Sequence, residues 1–240
     1  PATLAEVQAM ITAVNTAQAN ILTQIGNEGD TPDTVNSVVT AAQLASLSGI
    51  TDVVAANEDA YQDYIDANPD SFASPATLAE VQAMITAVNT AQANILTQIG
   101  NEGDTPDTVN SVVTAAQLAS LSGITDVVAA NEDAYQDYID ANPDSFASPA
   151  TLAEVQAMIT AVNTAQANIL TQIGNEGDTP DTVNSVVTAA QLASLSGITD
   201  VVAANEDAYQ DYIDANPDSF ASPATLAEVQ AMITAVNTAQ

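Results

Sequence analysis

The side chains of this sequence that could do chemistry are carboxylates, and their densest group recurs without change. The stretch ANEDAYQDYIDANPDSFASPATLAEVQ begins at Ala56, Ala130 and Ala204 and carries six acidic residues. Four of its aspartates follow steps of four, three and four residues: Asp59, Asp63, Asp66 and Asp70. In a helix this spacing places the first three on one face and the fourth just past the helix end, where oxygen ligands would suit a hard cation such as calcium.

Two hypotheses account for these carboxylates. In the first, calcium binds at this aspartate stripe, or at the loop residues Asn27, Glu28, Asp30 and Asp33, and stiffens the chain. In the second, the stripe is a solvated face whose charge is screened by dissolved cations. Neither segment has the D-x-[DN]-x-[DN]-G spacing of a dedicated calcium loop, which favours the second hypothesis. No other cofactor is expected.

The remaining chemistry is limited by residues that the sequence lacks. Its 240 residues include 31 Asp and Glu but no Lys, Arg, His or Cys, so the formal net charge is -31. Without imidazole, thiolate, amine or guanidinium groups, the chain lacks the side chains that most catalytic mechanisms use, so we expect that it is not an enzyme. A nucleic-acid partner is excluded on the same ground, because binding to a polyanion requires basic side chains. Self-repulsion at this charge predicts a salty, extracellular setting.

The apolar content predicts a folded protein. Hydrophobic residues make up 47% of the chain and recur at helical spacing, which is unlike a disordered acidic tail. No apolar run approaches the roughly 18 residues that span a bilayer.

The chain is a tandem array with a period of 74 residues. Residues 1–74 recur identically as 75–148 and 149–222, and residues 223–240 restart the unit. Identical copies favour a structural array over an enzyme, because a catalytic site needs one specialised environment. The last residue, Gln240, corresponds to Gln18 in the middle of a predicted helix, so we expect a window cut from a longer array.

Each repeat is predicted to hold about three helices, which gives an all-α fold. Helix A begins at the capping box of Thr3 and Glu6 and runs to Gly26. A glycine there can adopt the left-handed backbone conformation that ends many helices, which we call a left-handed stop. Steps of three and four residues trace its predicted packing seam: Leu4, Val7, Ile11, Val14, Ile21 and Ile25. Gln18 interrupts the seam. This polar residue either fixes the register between helices or marks a point where the seam reaches water. The seam packs within its own repeat or pairs with another chain, and the first is favoured.

Two shorter helices complete the repeat. Thr40 and Gln43 form a second capping box, from which helix B runs over about 41–48. Thr51 or Asp52 caps helix C, which ends at Asn68-Pro69 because a residue before proline resists helical geometry. Its linker to the next repeat contains one apolar anchor, Phe72, and is short enough to hold neighbouring repeats in a preferred orientation.

The aromatic and threonine residues each allow a binding role. Tyr61 and Tyr64 are core anchors or, if exposed, a surface on which carbohydrate rings stack, and the first is favoured. Thr12 and Thr23 are eleven residues apart, a spacing that resembles helical antifreeze proteins, although a plain polar face is simpler.

The segment VTAAQLASLSGITDVVAANEDAYQDYI, followed by a proline-bearing junction and TLAEVQAMITAVN, resembles helical tandem repeats of very large secreted bacterial surface proteins, often adhesin-like. This resemblance implies an extracellular stalk or fibre. Many such adhesins build their stalks from immunoglobulin-like β repeats, and this sequence departs from that pattern.

We therefore expect a non-catalytic extracellular structural protein that forms a stalk or a self-associating filament. Its partners are neighbouring repeats, other chains of the same protein and dissolved cations. A repeated module that binds calcium, glycan or ice is the alternative.

Overall fold

The computed structural model describes residues 2–28, 39–102, 113–175 and 187–240. Within these ranges the chain is helical and contains no β-strand, which confirms the all-α prediction. The α-helices in this part are α1 (Leu4–Gly26), α2 (Ala41–Ser46), α3 (Glu58–Ala67), α4 (Leu78–Gly100), α5 (Ala115–Ser120), α6 (Glu132–Ala141), α7 (Leu152–Gly174), α8 (Ala189–Ala193), α9 (Glu206–Ala215) and α10 (Leu226–Ala239). Single turns of 3₁₀-helix precede and follow α3, α6 and α9.

Both predicted capping boxes form. The Thr3 hydroxyl accepts a hydrogen bond from the backbone N–H of Glu6, and the Glu6 carboxylate accepts one from the N–H of Thr3 over 2.7 Å. Thr40 and Gln43 make the same pair of contacts at the start of α2. Together they satisfy backbone donors that a helix start would otherwise leave unpaired. The second helix ends two residues earlier than predicted, at Ser46.

The start of the third helix differs from the prediction. Neither Thr51 nor Asp52 caps it, because a 3₁₀ turn over Ala55–Asn57 intervenes and α3 begins at Glu58. Asp52 instead adopts φ 60°, a left-handed conformation that is uncommon outside glycine. The Thr51 hydroxyl donates a hydrogen bond to its carboxylate over 2.8 Å.

The chain divides into two compact units. Unit 1 comprises Pro1–Thr97 and Ala119–Ile124, and unit 2 comprises Gln98–Leu118 and Thr125–Gln240. The core of unit 1 contains apolar residues from both sides of the sequence boundary at Pro75: Ile21, Ile25, Val39, Leu44, Leu47, Tyr61, Ile65, Phe72, Ala76, Val81, Met84, Ile85 and Val88. A core in this unit therefore closes only when one repeat supplies its own residues and the next repeat supplies the start of its long helix.

Unit 2 shows how one long helix serves two repeats. The first 14 residues of α7, 152–165, bury Val155, Met158, Ile159 and Val162, and this part of the helix packs against α6 of the preceding repeat. Its last nine residues, 166–174, bury Ile169 and Ile173 in a core with α9 and α10. We call these parts the leading half and the trailing half of the long helix. α10 consists of a leading half alone.

The predicted packing seam needs a correction in the first repeat. Ile21 and Ile25, in the trailing half of α1, are buried. The other four seam residues are exposed: Leu4 at 88%, Val7 at 38%, Ile11 at 44% and Val14 at 50%. The physical reason is that a leading half packs on the repeat before it, so the seam does not close within one repeat as expected.

Candidate functional site at the junction between repeats

The apolar part of the junction is one face of the leading half. In α4 it consists of Val81, Met84, Ile85 and Val88, which are at most 6% exposed. Their spacing of three, one and three residues places them on a single helical stripe. Tyr61 and Ile65 of α3, both fully buried, belong to the same core. Removing one of these side chains would cost about 2–5 kcal/mol, the usual range for a large-to-small change in a core.

A network of hydrogen bonds lies beside this apolar stripe and is centred on Asn89. Its Oδ1 accepts from the hydroxyl of Tyr61 over 2.7 Å and from Nδ2 of Asn57 over 2.9 Å. Its Nδ2 donates to the backbone carbonyl of Asp52 over 2.8 Å. The Tyr61 hydroxyl also accepts from the N–H of Val54 over 3.0 Å. Asn89 thus ties the leading half to the segment before α3 and holds the left-handed turn at Asp52 in place.

A second polar contact lies about two turns earlier on α4. Oε1 of Gln82 accepts from the backbone N–H of Thr51 over 2.9 Å, and its Nε2 donates to the Thr51 carbonyl over 3.3 Å. A side-chain amide that binds both groups of one residue fixes the helix along its axis, because a shift of one turn would break both bonds.

The trailing half is held by close backbone packing. A Cβ atom at Gly26 would collide with the carbonyl oxygen of Ala73 and lie 2.5 Å from the N–H nitrogen of Ala76. That N–H donates to the carbonyl of Leu22 over 2.9 Å, and the Ser74 hydroxyl donates to Oδ1 of Asn27 over 2.6 Å. Gly26 therefore does not provide the left-handed stop that the sequence suggested. It is glycine because the next linker crosses directly over it.

Gln18, the polar residue in the predicted seam, joins the long helix to the end of α2. Its Nε2 donates to the Ser46 carbonyl and to the Ser48 hydroxyl, over 3.3 and 3.0 Å. In the second repeat Gln92 is buried and makes two contacts, donating to the Ser120 carbonyl over 2.6 Å and accepting from the Ser122 N–H over 3.0 Å. These contacts favour the register role over contact with water.

The junction also contains a carboxylate whose titration is altered. Oε2 of Glu80 accepts from the backbone N–H of Thr77 over 2.8 Å and from that of Ala73 over 3.1 Å. These two bonds stabilise the charged form and lower the pKa of Glu80 from its ordinary value of 4.5. The pKa values of Glu154 and Glu228 are lowered by the equivalent bonds in the later repeats.

The polar contacts recur in unit 2 with nearly the same lengths. The tyrosine-to-asparagine bond is 2.7 Å from Tyr135 to Asn163 and 2.6 Å from Tyr209 to Asn237. The threonine-to-glutamine contact recurs as Thr125 to Gln156 and Thr199 to Gln230, both 2.9 Å. The junction is therefore a repeated structure and does not depend on one position in the chain.

The aspartate stripe lies on α3 and just after its end. Asp59, Asp63 and Asp70 are exposed and Asp66 is half-buried. Among the residues that the structure describes, no group of three acidic residues is arranged to hold a metal ion. In the alternative loop, Asp30 and Asp33 lie outside the described residues, so the calcium hypothesis stays a prediction.

A shallow groove recurs between the third helix of one repeat and the leading half that follows. Its volume is about 470 Å³ beside α3, and its counterparts beside α6 and α9 measure about 300 and 390 Å³. Half-buried Tyr64 lines it with Asp63, Asn68 and several alanines. The ring of Tyr64 also meets that of Phe72 edge-on, with centroids 6.5 Å apart. Phe72 itself is 9% exposed within the core, whereas Phe146 and Phe220 are half-buried.

Three residues at the junction were not singled out from the sequence. They are the methionine of the apolar stripe and the two amides that bind the preceding repeat: Met84, Gln82 and Asn89. A signal for the methionine existed, because its first copy, Met10, lies three residues after Val7 and four before Val14. The amides gave no such signal, since a polar residue on a helix is normally solvated.

Comparison with known proteins agrees with the period of the array. A family model described as the RtxA repeat matches the chain three times, over residues 16–31, 90–105 and 164–179. The matches recur every 74 residues or so, and each one covers a trailing half and the residues after it. This finding confirms the resemblance to tandem repeats of large bacterial surface proteins. No curated protein and no solved structure matches the chain. Across the described ranges, no helix combines the length and apolarity needed to cross a membrane.

Proposed function

We propose that this array is a non-catalytic, extracellular stalk segment of a large bacterial surface protein. The matches to the RtxA repeat support one part of this proposal, namely that the chain is a repeat region of a large bacterial surface protein. The stalk role is supported by one observation: in unit 2, the leading half of α7 is buried and hydrogen-bonds to the preceding repeat, whereas its trailing half belongs to a core with α9 and α10. Repeats that share a helix are joined by about 35 Å of continuous backbone hydrogen bonding instead of a free linker.

Such sharing makes neighbouring repeats stabilise each other. When each repeat contacts only its neighbours, the stability of the array is approximately a sum of repeat terms and interface terms. The Asn89 network and the Gln82 contact belong to the interface term, because each joins residues of two repeats. A surface protein gains reach from this arrangement, since added copies extend the same structure.

A series of chains with one, two and three repeats tests the stalk proposal, each closed by the 18-residue segment that follows the last repeat. We expect the melting temperature to rise with each added repeat, and electron micrographs to show particles that lengthen in equal steps. If the melting temperature is the same for all three chains and the micrographs show separate globular domains on flexible linkers, the result would count against a stalk and favour independent domains.

The residue types of the chain support the proposal that the array is non-catalytic. The sequence has no His, Cys, Lys or Arg. The glutamates with a lowered pKa are charged at neutral pH and already bind backbone N–H groups, so they are unsuited to general acid catalysis.

The recurring groove favours a repeated binding module as a second candidate. Its three copies share one tyrosine, one aspartate and one asparagine, a combination that suits a sugar ring. A glycan array probed with the whole chain tests this role, with the triple variant Tyr64→Ala, Tyr138→Ala and Tyr212→Ala as control. Binding that the variant loses would support the module, whereas equal signals from both proteins would exclude the groove.

A further inference from the structure

The recurring groove between the third helix of a repeat and the leading half that follows has a carboxylate on its wall. In unit 1 this carboxylate belongs to Asp63, which is exposed on α3 beside half-buried Tyr64. Its counterparts Asp137 and Asp211 are also exposed and line the two grooves of unit 2. The same charged group therefore lies beside the same aromatic ring in each of these grooves.

The polar groups of the groove favour a ligand that donates hydrogen bonds. The ionised carboxylate of Asp63 is an acceptor only. Nδ2 of Asn68 donates to the backbone carbonyl of Tyr64 over 2.8 Å, which orients this amide, and its Oδ1 is a second acceptor. Both ends of the Gln92 amide already bind backbone groups at the end of α5. An ammonium group, with three donors and no acceptor, matches such a lining.

The charge of the chain selects the sign of the ligand. The sequence has 31 acidic side chains and no basic one, so the field over the groove is negative, attracts cations and repels carboxylates and sulfates. Asp59 and Asp66 lie four residues before and three residues after Asp63 on α3, a spacing at which like charges repel each other. A cation bound at Asp63 relieves this repulsion, so the groove is complementary to positive charge.

We propose that the groove binds sugars that carry a free amino group, and binds them more tightly than acetylated or acidic sugars. The apolar face of the sugar ring packs on Tyr64 and the alanines of the groove, and the ammonium donates to the carboxylate of Asp63. The groove volumes of about 300 to 470 Å³ lie at the lower end for small-molecule sites, which suits a short stretch of a sugar chain. This inference rests on the second candidate function, sugar binding, and specifies the chemical class of the sugar.

The test titrates the full 240-residue chain with two oligomers of equal length and linkage, a tetramer of glucosamine and the fully N-acetylated tetramer. Calorimetry is done with EDTA to exclude calcium, at about pH 5.5, where carboxyl groups are ionised and sugar amines are protonated. We expect the glucosamine tetramer to bind at least about tenfold more tightly, since hydrogen bonds to charged groups are the stronger ones. Binding should saturate at one tetramer for each groove that the described residues form.

Two variants of equal net charge locate the preference. The groove variant replaces the carboxylates on the groove wall with amides of the same size: Asp63→Asn, Asp137→Asn and Asp211→Asn. The control variant makes the same change at exposed residues that do not line the groove: Asp70→Asn, Asp144→Asn and Asp218→Asn. We expect the groove variant to bind the two tetramers with similar affinity and the control variant to keep the preference for glucosamine. Circular dichroism checks that both variants remain helical.

Three outcomes would overturn the inference: equal or absent binding of the two tetramers by the unaltered chain, a preference that the groove variant keeps, or a preference that the control variant also loses. Non-specific attraction of a cationic oligomer to an acidic chain gives the second or the third outcome. Sugar binding itself fails only if the glycan array gives equal signals for the unaltered chain and the tyrosine variant, so the two failures are distinguishable. The stalk proposal depends on how melting changes with repeat number, and none of these outcomes bears on it.

Discussion

Ile11 and Ile85 occupy the same position in two identical 18-residue segments, yet Ile11 is 44% exposed and Ile85 is fully buried. Both lie in unit 1, on the leading halves of α1 and α4. Ile85 belongs to a core that includes Tyr61 and Ile65 of the preceding repeat. The structural repeat of this protein is therefore offset from the sequence repeat by half of a long helix.

This pair gives the first prediction, a matched comparison of Ile85→Ala with Ile11→Ala. The change at Ile85 removes buried methyl groups and leaves a cavity, so we expect it to lower the free energy of unfolding by about 2–5 kcal/mol. The change at Ile11 lies on an exposed face and should alter it by less than about 0.5 kcal/mol. Urea denaturation followed by circular dichroism measures both. Equal losses at the two positions would contradict the offset core.

The second prediction concerns the hydrogen-bond network at the junction. Asn89→Ala removes the acceptor of the Tyr61 hydroxyl and the donor to the Asp52 carbonyl. Leaving one such group without a partner costs about 1–3 kcal/mol, so we expect the loss of both bonds to lower the free energy of unfolding by about 2–6 kcal/mol. Asn15→Ala, at the equivalent exposed position of α1, is the control and should be nearly neutral. If the two variants unfold at the same urea concentration, the network contributes nothing to stability.

Local features of the fold were predictable from sequence because they depend on neighbouring residues. The capping boxes at Thr3 and Thr40 and the helix end before Pro69 follow from hydrogen bonding and backbone sterics within a few residues. The repeat period also needs no structure, because it can be read from the identical copies. Within the described residues, such features gave the type and order of the three α-helices of each repeat correctly.

Features that depend on contacts between distant residues were not predictable in this way. Gly26 at the end of a helix suggests a left-handed stop, but the backbone near Ala73 determines its role. Thr51 and Asp52 suggest a cap, yet Gln82 and Asn89 of the next repeat bind their backbone. For Thr51 and Asp52 the partners lie across the repeat boundary, and for Gly26 the backbone that crosses it runs from Ala73 of the same repeat to Ala76 of the next, so none of these contacts is visible within a few residues of sequence.

The third prediction follows from the lowered pKa of Glu80, Glu154 and Glu228. A carboxylate whose pKa is lower in the folded state contributes stability above the unfolded value of about 4.5, and this contribution is lost as pH falls through the lowered pKa. Protonation also relieves self-repulsion across the chain, which acts in the opposite direction. A control with the same change in charge is therefore needed to isolate the effect.

The two variants to compare each remove three negative charges. One replaces the three glutamates with Gln, and the other carries Asp70→Asn, Asp144→Asn and Asp218→Asn at exposed positions. We expect the asparagine variant to be the more stable above pH 4.5, and the difference to shrink as the solution is acidified below it. Thermal melts at a series of pH values measure this difference. A difference in melting temperature between the two variants that does not change with pH would contradict the role of the glutamates as charged caps.

The fourth prediction concerns the cations that balance the charge. Since no side chain of the sequence is basic, side-chain ion pairs cannot offset the 31 carboxylates, and screening by salt must do so. We expect the melting temperature to rise steeply between about 10 mM and 150 mM sodium chloride and to level off as the Debye length falls from about 30 Å to 8 Å.

Calcium chloride at matched ionic strength then separates screening of the charge by dissolved ions from specific binding of calcium. With screening alone, the two salts give similar curves, and Asp63→Asn shifts both equally. A specific calcium site instead raises the melting temperature at micromolar to millimolar calcium, shows saturable heat in calorimetry after EDTA treatment, and loses that heat when a ligand such as Asp63 is replaced.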